Sequence, residues 1–256
     1  MDTGIIGKDL NILIVNDDGI TSRGIDILAE VAGSYGKVYV IAPDSQKSGY
    51  SHKVTVDRPL KVTEVDMKSA EKAWSIDGTP ADCVKLGVDC LLDDKPDIVL
   101  SGINHGANFG TDALYSGTIQ SAYAGALLGI KSMAISYCAR DINNEDLAFQ
   151  SVRLIMDGIA CLDINGGIWN INIPDVEKSK GLRFTRQVGI RRHENMYTRV
   201  ESDCLEYRFT GRKIPNTGSD EELDEFAIRK GYVSATPLSL YWTDLKVLKG
   251  VKAILE

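Results

Sequence analysis

The run Asn11-Ile12-Leu13-Ile14-Val15-Asn16 restricts the fold more than any other stretch, because it is short and almost continuously apolar. Such a strand belongs to a parallel sheet covered on both faces. Behind it comes the turn Asn16-Asp17-Asp18-Gly19, and then Ile25, Leu28, Ala29 and Ala32 recur at helical spacing. Thr21 and Ser22 are candidate N-caps of that helix, Gly33 and Gly36 are its stops, and Val38 to Ala42 supplies a second strand. Asn11 to Ala42 is therefore a β-α-β unit, whose short crossover should be right-handed.

The pattern repeats along the chain. Thr79-Pro80-Ala81-Asp82 has the form of a helix start, a cap followed by proline and by an acid three positions on, and Ala81, Val84, Val88 and Leu91 share a face behind it. Asp97 to Ser101 reads as another buried strand, Gly102 to Gly117 as a long glycine-rich loop, and Thr118 to Gly129 as a close-packed helix. Lys131 to Tyr137 and Ile168 to Ile173 read as strands, with a helix between them from about Glu145 to Leu162. This alternation predicts a doubly wound α/β core. Past about Gly181 it gives way to mixed strands and loops, including Leu205 to Thr210, and the acidic stretch Asp220 to Glu225 reads as a solvated face. The expected division is a core over residues 1–180 and a C-terminal extension over 181–256. Periodicity leaves open whether that extension is an antiparallel addition, a dimerisation arm or a small subdomain.

A chain of 256 residues with 43% hydrophobic and 25% charged residues can bury a full core. Its net charge of -7 disfavours binding to a polynucleotide backbone, so a small anionic ligand would need a metal or a helix N-terminus. Cys83, Cys90, Cys138, Cys161 and Cys204 contain no Cys-x-x-Cys pair and are expected as buried, reduced thiols. No apolar run of about 18 residues occurs, so no membrane partner is expected and the chain reads as cytoplasmic.

In an open α/β sheet, ligands bind beyond the carboxyl ends of the strands. Three loops lie there: Asn16-Asp17-Asp18-Gly19, Pro43-Asp44-Ser45-Gln46-Lys47-Ser48-Gly49 and Gly102-Ile103-Asn104-His105-Gly106. Adjacent carboxylates that both stay ionised in low dielectric need a cation. Asp17, Asp18, the Ser48 hydroxyl and the Asn104 carbonyl would give a hard ion, Mg2+ or Mn2+, an incomplete oxygen shell. The alternative is an Asx-turn that only caps the next helix. Tyr115-Ser116-Gly117-Thr118 before a helix offers free N–H groups and hydroxyls to a phosphate, without the Gly-Lys-Ser/Thr ending of a P-loop. A flexible loop with an ordinary cap reads the same residues equally well. His52, His105 and His193 have no zinc-site spacing, and a solvated His105 is the default, with donation to a phosphate or leaving group the other reading. Asp82 reads as a helix-start residue.

In order and spacing, Asn16-Asp17-Asp18-Gly19, Ala42-Pro43-Asp44 with Ser48-Gly49, Gly78-Thr79-Pro80-Ala81-Asp82-Cys83, Ser101-Gly102-Ile103-Asn104 and Tyr115-Ser116-Gly117-Thr118 resemble the SurE family of stationary-phase survival proteins. The resemblance spans Asn11 to Ile173, with weaker echoes at Thr185-Arg186-Gln187 and Gly231 to Leu238. It implies a Rossmann-like, mostly parallel sheet with a C-terminal extension used in homodimer or homotetramer contacts. The implied activity is hydrolysis of nucleoside 5′-monophosphates, often 3′-monophosphates, and sometimes short polyphosphate. Metal ligands carry over onto Asp17, Asp18, Ser48 and Asn104, with Asp17 and Asp18 also catalytic; phosphate contacts carry over onto Asn108, Ser116, Gly117 and Thr118. His105, Ala107 and Ala124 depart from the family pattern, but none of them is a proposed ligand.

Both direct attack by water and an aspartyl-phosphate route are open at this point. A module that binds a mononucleotide without hydrolysing it is the rival from another class. A dinucleotide oxidoreductase is disfavoured, because Asp17 and Asp18 would repel a pyrophosphate where a Gly-x-Gly-x-x-Gly turn should approach it.

Overall fold

The computed structural model describes residues 9–255 apart from 161, 163, 165, 190–192, 195–196, 202–203, 210–211, 215–217 and 242. In chain order the elements are β1 (Leu10–Val15), α1 (Arg23–Ala32), β2 (Gly36–Pro43), β3 (Val62–Val65), β4 (Lys72–Ile76), α2 (Pro80–Leu86), β5 (Ile98–His105), α3 (Gly117–Leu127), β6 (Lys131–Tyr137), α4 (Glu145–Gly158) and β7 (Gly167–Ile173). They continue with β8 (Leu182–Phe184), β9 (His193–Glu194), β10 (Tyr197–Val200), β11 (Glu206–Phe209), β12 (Arg212–Lys213), α5 (Asp224–Arg229), β13 (Val233–Ser239) and α6 (Leu245–Leu255).

One sheet carries the order β3-β4-β2-β1-β5-β6-β7-β13-β8. It is parallel from β4 to β7, while β3 and β13 join antiparallel to β4 and β7. The alternation along β1 explains the two layers. Ile12 and Ile14 enter a core with Ile25, Leu28 and Ala32 of α1 and Val152 and Ile155 of α4, whereas Leu13 and Val15 meet Ala81 and Val84 of α2 on the other face. Each of these Ile, Leu and Val side chains, fully buried, contributes about 1.5–3 kcal/mol. The strand order reverses about β1, which has β2 on one side and β5 on the other, so the switch-point crevice opens at the carboxyl ends of β1 and β5.

Several expectations change. The stretch Gly102 to Gly117 is not one loop: β5 runs on through His105, and Gly110–Leu114 forms a 3-10 turn closed by backbone bonds such as Asp112 N–H to Phe109 C=O. The helix of β6-α4-β7 ends at Gly158 rather than Leu162, and α2 hands over to a π turn at Gly87–Leu91. Strands β3 and β4 were not expected; β3 presents no alternating buried face, with two exposed and two partly buried residues, and lies at the sheet edge. In the acidic stretch only Asp220, Glu221 and Glu222 are solvated. Asp224 and Glu225 are buried at the start of α5, where Asp224 Oδ1 accepts from the Val188 and Glu225 amides. The thiols also differ from expectation: Cys83 is buried and Cys138 half-buried, but Cys90 on the π turn and Cys204 beside β11 are exposed, and Cys161 lies outside the described residues. The strand expected over Leu205 to Thr210 is β11, paired with β10; Thr210 also lies outside the described residues. No helix among the described residues is long and apolar enough to cross a membrane.

Candidate active site

The turn after β1 is closed by Asn16, not by the two aspartates. Its Nδ2 donates to Gly19 C=O (2.9 Å) and to Ser22 Oγ (2.7 Å), and its Oδ1 accepts from Gly19 N–H (3.1 Å). Ser22 is the N-cap residue of α1 but makes no side-chain cap bond, because its hydroxyl serves Asn16. The helix then starts against β5: a Cβ on Gly24 would stand 2.1 Å from Ile103 C=O, so only glycine permits this approach. With the turn closed by Asn16, both carboxylates are available for other contacts.

Asp17 is buried, and its Oδ1 accepts a 2.6 Å bond from Thr118 Oγ1, 101 residues away in the first turn of α3. Burial pushes its carboxyl up to about 6, opposed by the Thr118 bond and assisted by the charge of Asp18. Asp18 is half-buried, accepts the His105 amide at 3.2 Å, and is also pushed upward by burial, against the pull of His105 and a contact from Gln46. Neither carboxylate forms a salt bridge among the described residues.

The other loops converge on the pair. Ile20 N–H donates to Pro43 C=O at 2.9 Å, and Lys47 N–H donates to Asp17 C=O at 2.7 Å, which carries the exposed Ser48 past β1. Asn104 lies beside His105 at the end of β5. Its Nδ2 donates to Gly106 C=O (2.7 Å), and its Oδ1 accepts no bond among the described residues. Gly117 touches Asp17 directly, since a Cβ there would sit 2.7 Å from Asp17 Cβ. Ser116 caps α3 by accepting from Ile119 N–H at 3.2 Å. Thr118 is committed through its hydroxyl to Asp17, which leaves its backbone at the helix N-terminus. Asn108 is elsewhere: it is buried over β6 and β7, with its Nδ2 on Ser136 Oγ at 2.9 Å. His105 is half-buried with Nδ1 at 2.9 Å from Arg140 C=O, so it is not the solvated loop residue expected. Asp82 is the capping-box residue, accepting from Thr79 N–H at 2.9 Å and also from Thr55.

The donor set suits a hard cation. Asp17, Asp18, Ser48 and Asn104 offer only oxygen, and two desolvated carboxylates without a salt bridge carry negative charge that a divalent ion would offset. No group of three or more His, Cys, Asp or Glu side chains placed to hold a metal occurs among the described residues, so Ser and Asn oxygens would be needed to complete a shell.

A family profile described as "Survival protein SurE" matches residues 12–194. The chain belongs to the SurE family. It is 36% identical over 250 residues to the 5′-nucleotidase SurE of Pelotomaculum thermopropionicum, covering 96% of each chain. It is 39% identical over 248 residues to the 5′-nucleotidase SurE of Aquifex aeolicus, covering 94% of this chain and 96% of that one. The crystal structure of the SurE protein from Aquifex aeolicus is similar throughout, with a TM-score of 0.78, 36% identity, and coverage of 96% of this chain and 100% of that one.

Reading the sequence missed Gln46, Ser136, Asn170 and Asn172. A signal for the last two was present, because Asn at alternate positions of an otherwise apolar strand places two amides on one buried face, and buried amides need partners.

Proposed function

We propose that this SurE-family chain is a divalent-metal-dependent phosphomonoesterase that hydrolyses nucleoside 5′-monophosphates, and in part 3′-monophosphates, to nucleoside and phosphate, and that it shortens short polyphosphate by releasing phosphate. The observation that carries this reading is the adjacent carboxylates of buried Asp17 and half-buried Asp18 at the switch point, set against the N-terminus of α3. A Mg2+ or Mn2+ ion held by Asp17, Asp18, Ser48 and Asn104 would offset phosphoryl charge and acidify a water. The protein's own part is positioning and charge. The N-terminus of α3 at Ser116, Gly117 and Thr118 presents backbone N–H groups and a positive dipole end to the phosphate. Thr118 fixes Asp17 in one rotamer, and Asp18, the more accessible acid, orients the attacking water and takes its proton. The buried Asn108 side chain is held by Ser136, so its part is to shape the loop that leads to Ser116 rather than to touch the phosphate.

The test has two arms. Phosphate release from AMP with added Mn2+ should be abolished by a chelator and restored by Mn2+ or Mg2+, and Asp17→Asn should lose on the order of 1000-fold in kcat. Independently of turnover, Mn2+ should raise the thermal midpoint of the wild type and not of Asp17→Asn, because an ion that binds only the folded state stabilises it. Full metal-dependent activity in Asp17→Asn would refute the ligand assignment. We place the reaction in the cytoplasm, where thiols stay reduced. We also read the chain as a homodimer or homotetramer through its C-terminal part, an assignment supported by the exposed apolar residues Leu245, Val247, Leu248 and Val251 on α6 and Tyr197, Tyr207 and Phe209 on β10 and β11.

A further inference from the structure

The least expected polar residues of the core are Asn170 and Asn172 in β7, both fully buried among Ile168, Ile171 and Ile173. Stability alone would be served better by Val or Ile, because a buried amide costs free energy until each of its groups is bonded. Both converge on one residue of the loop that follows β5. Asn172 Oδ1 accepts from Asn108 N–H (2.9 Å) and its Nδ2 donates to Asn108 C=O (3.3 Å), where Asn170 Nδ2 also donates (2.9 Å). The Asn108 side chain reaches on to Ser136 in β6. Asn170 Oδ1 has no partner among the described residues, so the pair is not fully satisfied.

We propose that Asn170 and Asn172 are positioning residues for phosphoester hydrolysis, acting as an amide clamp on the Asn108 peptide that fixes the loop between Asn104 and Ser116; this rests on reading the site as a phosphomonoesterase. Gly106 N–H donates to Tyr137 C=O at the end of β6, and the clamp carries the tether one strand further, to β7, which β5 does not itself pair with. With it, the loop is tied at its midpoint to the strand that also pairs with β13. The far wall comes from the chain beyond Gly181. Phe109 packs with Val188, Leu223 and Phe226, and Gln187 Nε2 donates to Gly110 C=O at 2.7 Å. Asn108 is thus gripped from the sheet, while its two successors are gripped from the C-terminal part. A loop held at three adjacent residues keeps its phosphate-facing end at a fixed distance from Asp17 and Asp18, and misplacement by about 1 Å costs on the order of 100-fold in rate.

The experiment compares Asn172→Ala, Asn172→Asp and Ser234→Ala, with AMP at saturating Mn2+ and well below each thermal midpoint. Ser234 lies opposite Asn172 on β13 and is equally buried, but makes no bond to Asn108. Asn172→Ala should lower kcat roughly 10- to 100-fold with KM within about threefold, and should speed amide exchange over residues 109–115. Asn172→Asp keeps an oxygen opposite the Asn108 amide but replaces the donor to Asn108 C=O by a buried acceptor and should not recover the loss, while Ser234→Ala stays within about twofold. If Asn172→Ala does not fold, Asn170→Ala, which removes one donor to Asn108 C=O, carries the same expectations. A kcat for the folded Asn variant no lower than that of Ser234→Ala, or unchanged loop exchange, overturns the proposal. Should the wild type release no phosphate from AMP, the activity reading fails separately, and the exchange rates still decide the clamp.

Discussion

The turn carrying Asp17 and Asp18 and the loop carrying Asn108 lie at the same end of the sheet but are held in opposite ways. The first is closed by partners three and six residues away, Gly19 and Ser22, which bond to Asn16. The second is held by partners 62 and 64 residues away, Asn170 and Asn172, and by Gln187, 77 residues from Gly110. A locally closed turn forms its backbone shape with its own β-α unit, and the distant Thr118 and His105 amide act only on its two carboxylates. A loop held at long range takes its shape only when the far strands of the sheet are in place, and its geometry is open to adjustment from the C-terminal part of the chain.

The two regions meet at α3, so the largest effect should come from disturbing that junction. A Cβ at Gly117 would stand 2.7 Å from Asp17 Cβ and 2.9 Å from its Oδ2, and since one of these atoms is fixed by the backbone, the helix start or the carboxylate must move. Gly117→Ala should therefore cost about 100-fold or more in kcat/KM for AMP while circular dichroism still reports a folded protein. Activity within about threefold of wild type would mean that helix and turn move independently, and the contrast between the regions would lose its meeting point. Thr118→Val should be milder. It keeps shape but deletes the 2.6 Å bond to Asp17, and kcat should fall roughly tenfold, the scale of one hydrogen bond to a charged group. Rescue in Thr118→Ser would show that the hydroxyl, not the methyl, ties the two regions.

The same contrast explains what the sequence revealed. β1, its turn and α1 were readable because their signals lie within about one β-α unit: an apolar run, an Asn-Asp-Asp-Gly turn and a helical period. The convergence of Asp17, Asp18, Asn104 and the Lys47-Ser48 segment followed from the rule that ligands gather at strand carboxyl ends, which requires only strand direction. The clamp on Asn108 was not readable, because a hydrogen bond between an amide in β7 and a peptide beyond β5 depends on which strands become neighbours. The burial of Asp224 escaped for a related reason. Five acids within six residues look solvated until Val188, from a distant segment, places its amide on one of them. Thr118 shows the limit within a motif: its position at the start of α3 was plain, but its hydroxyl could have faced a phosphate or a carboxylate, and the structure gives it to Asp17.

The smallest expected effect tests whether the locally built region needs any distant support. Arg23, the first residue of α1 and next to the Ser22 that Asn16 holds, forms a two-bond pair with Glu145 at the start of α4 (2.7 and 2.8 Å). Both side chains are largely solvated, so screening leaves the pair a minor contributor. Its hydrogen bonds hold the Glu145 carboxyl below its usual value. A group with a depressed folded pKa stabilises above its unfolded pKa and loses that contribution as pH falls through the folded one. Glu145→Gln should therefore lower the thermal midpoint slightly at neutral pH. The difference from wild type should vanish in acid, below the depressed value, and shrink with added salt at neutral pH. Turnover of AMP should stay unchanged throughout, because the Asn16 closure does not pass through α4. A loss of activity in Glu145→Gln would show that the turn, too, is set from a distance.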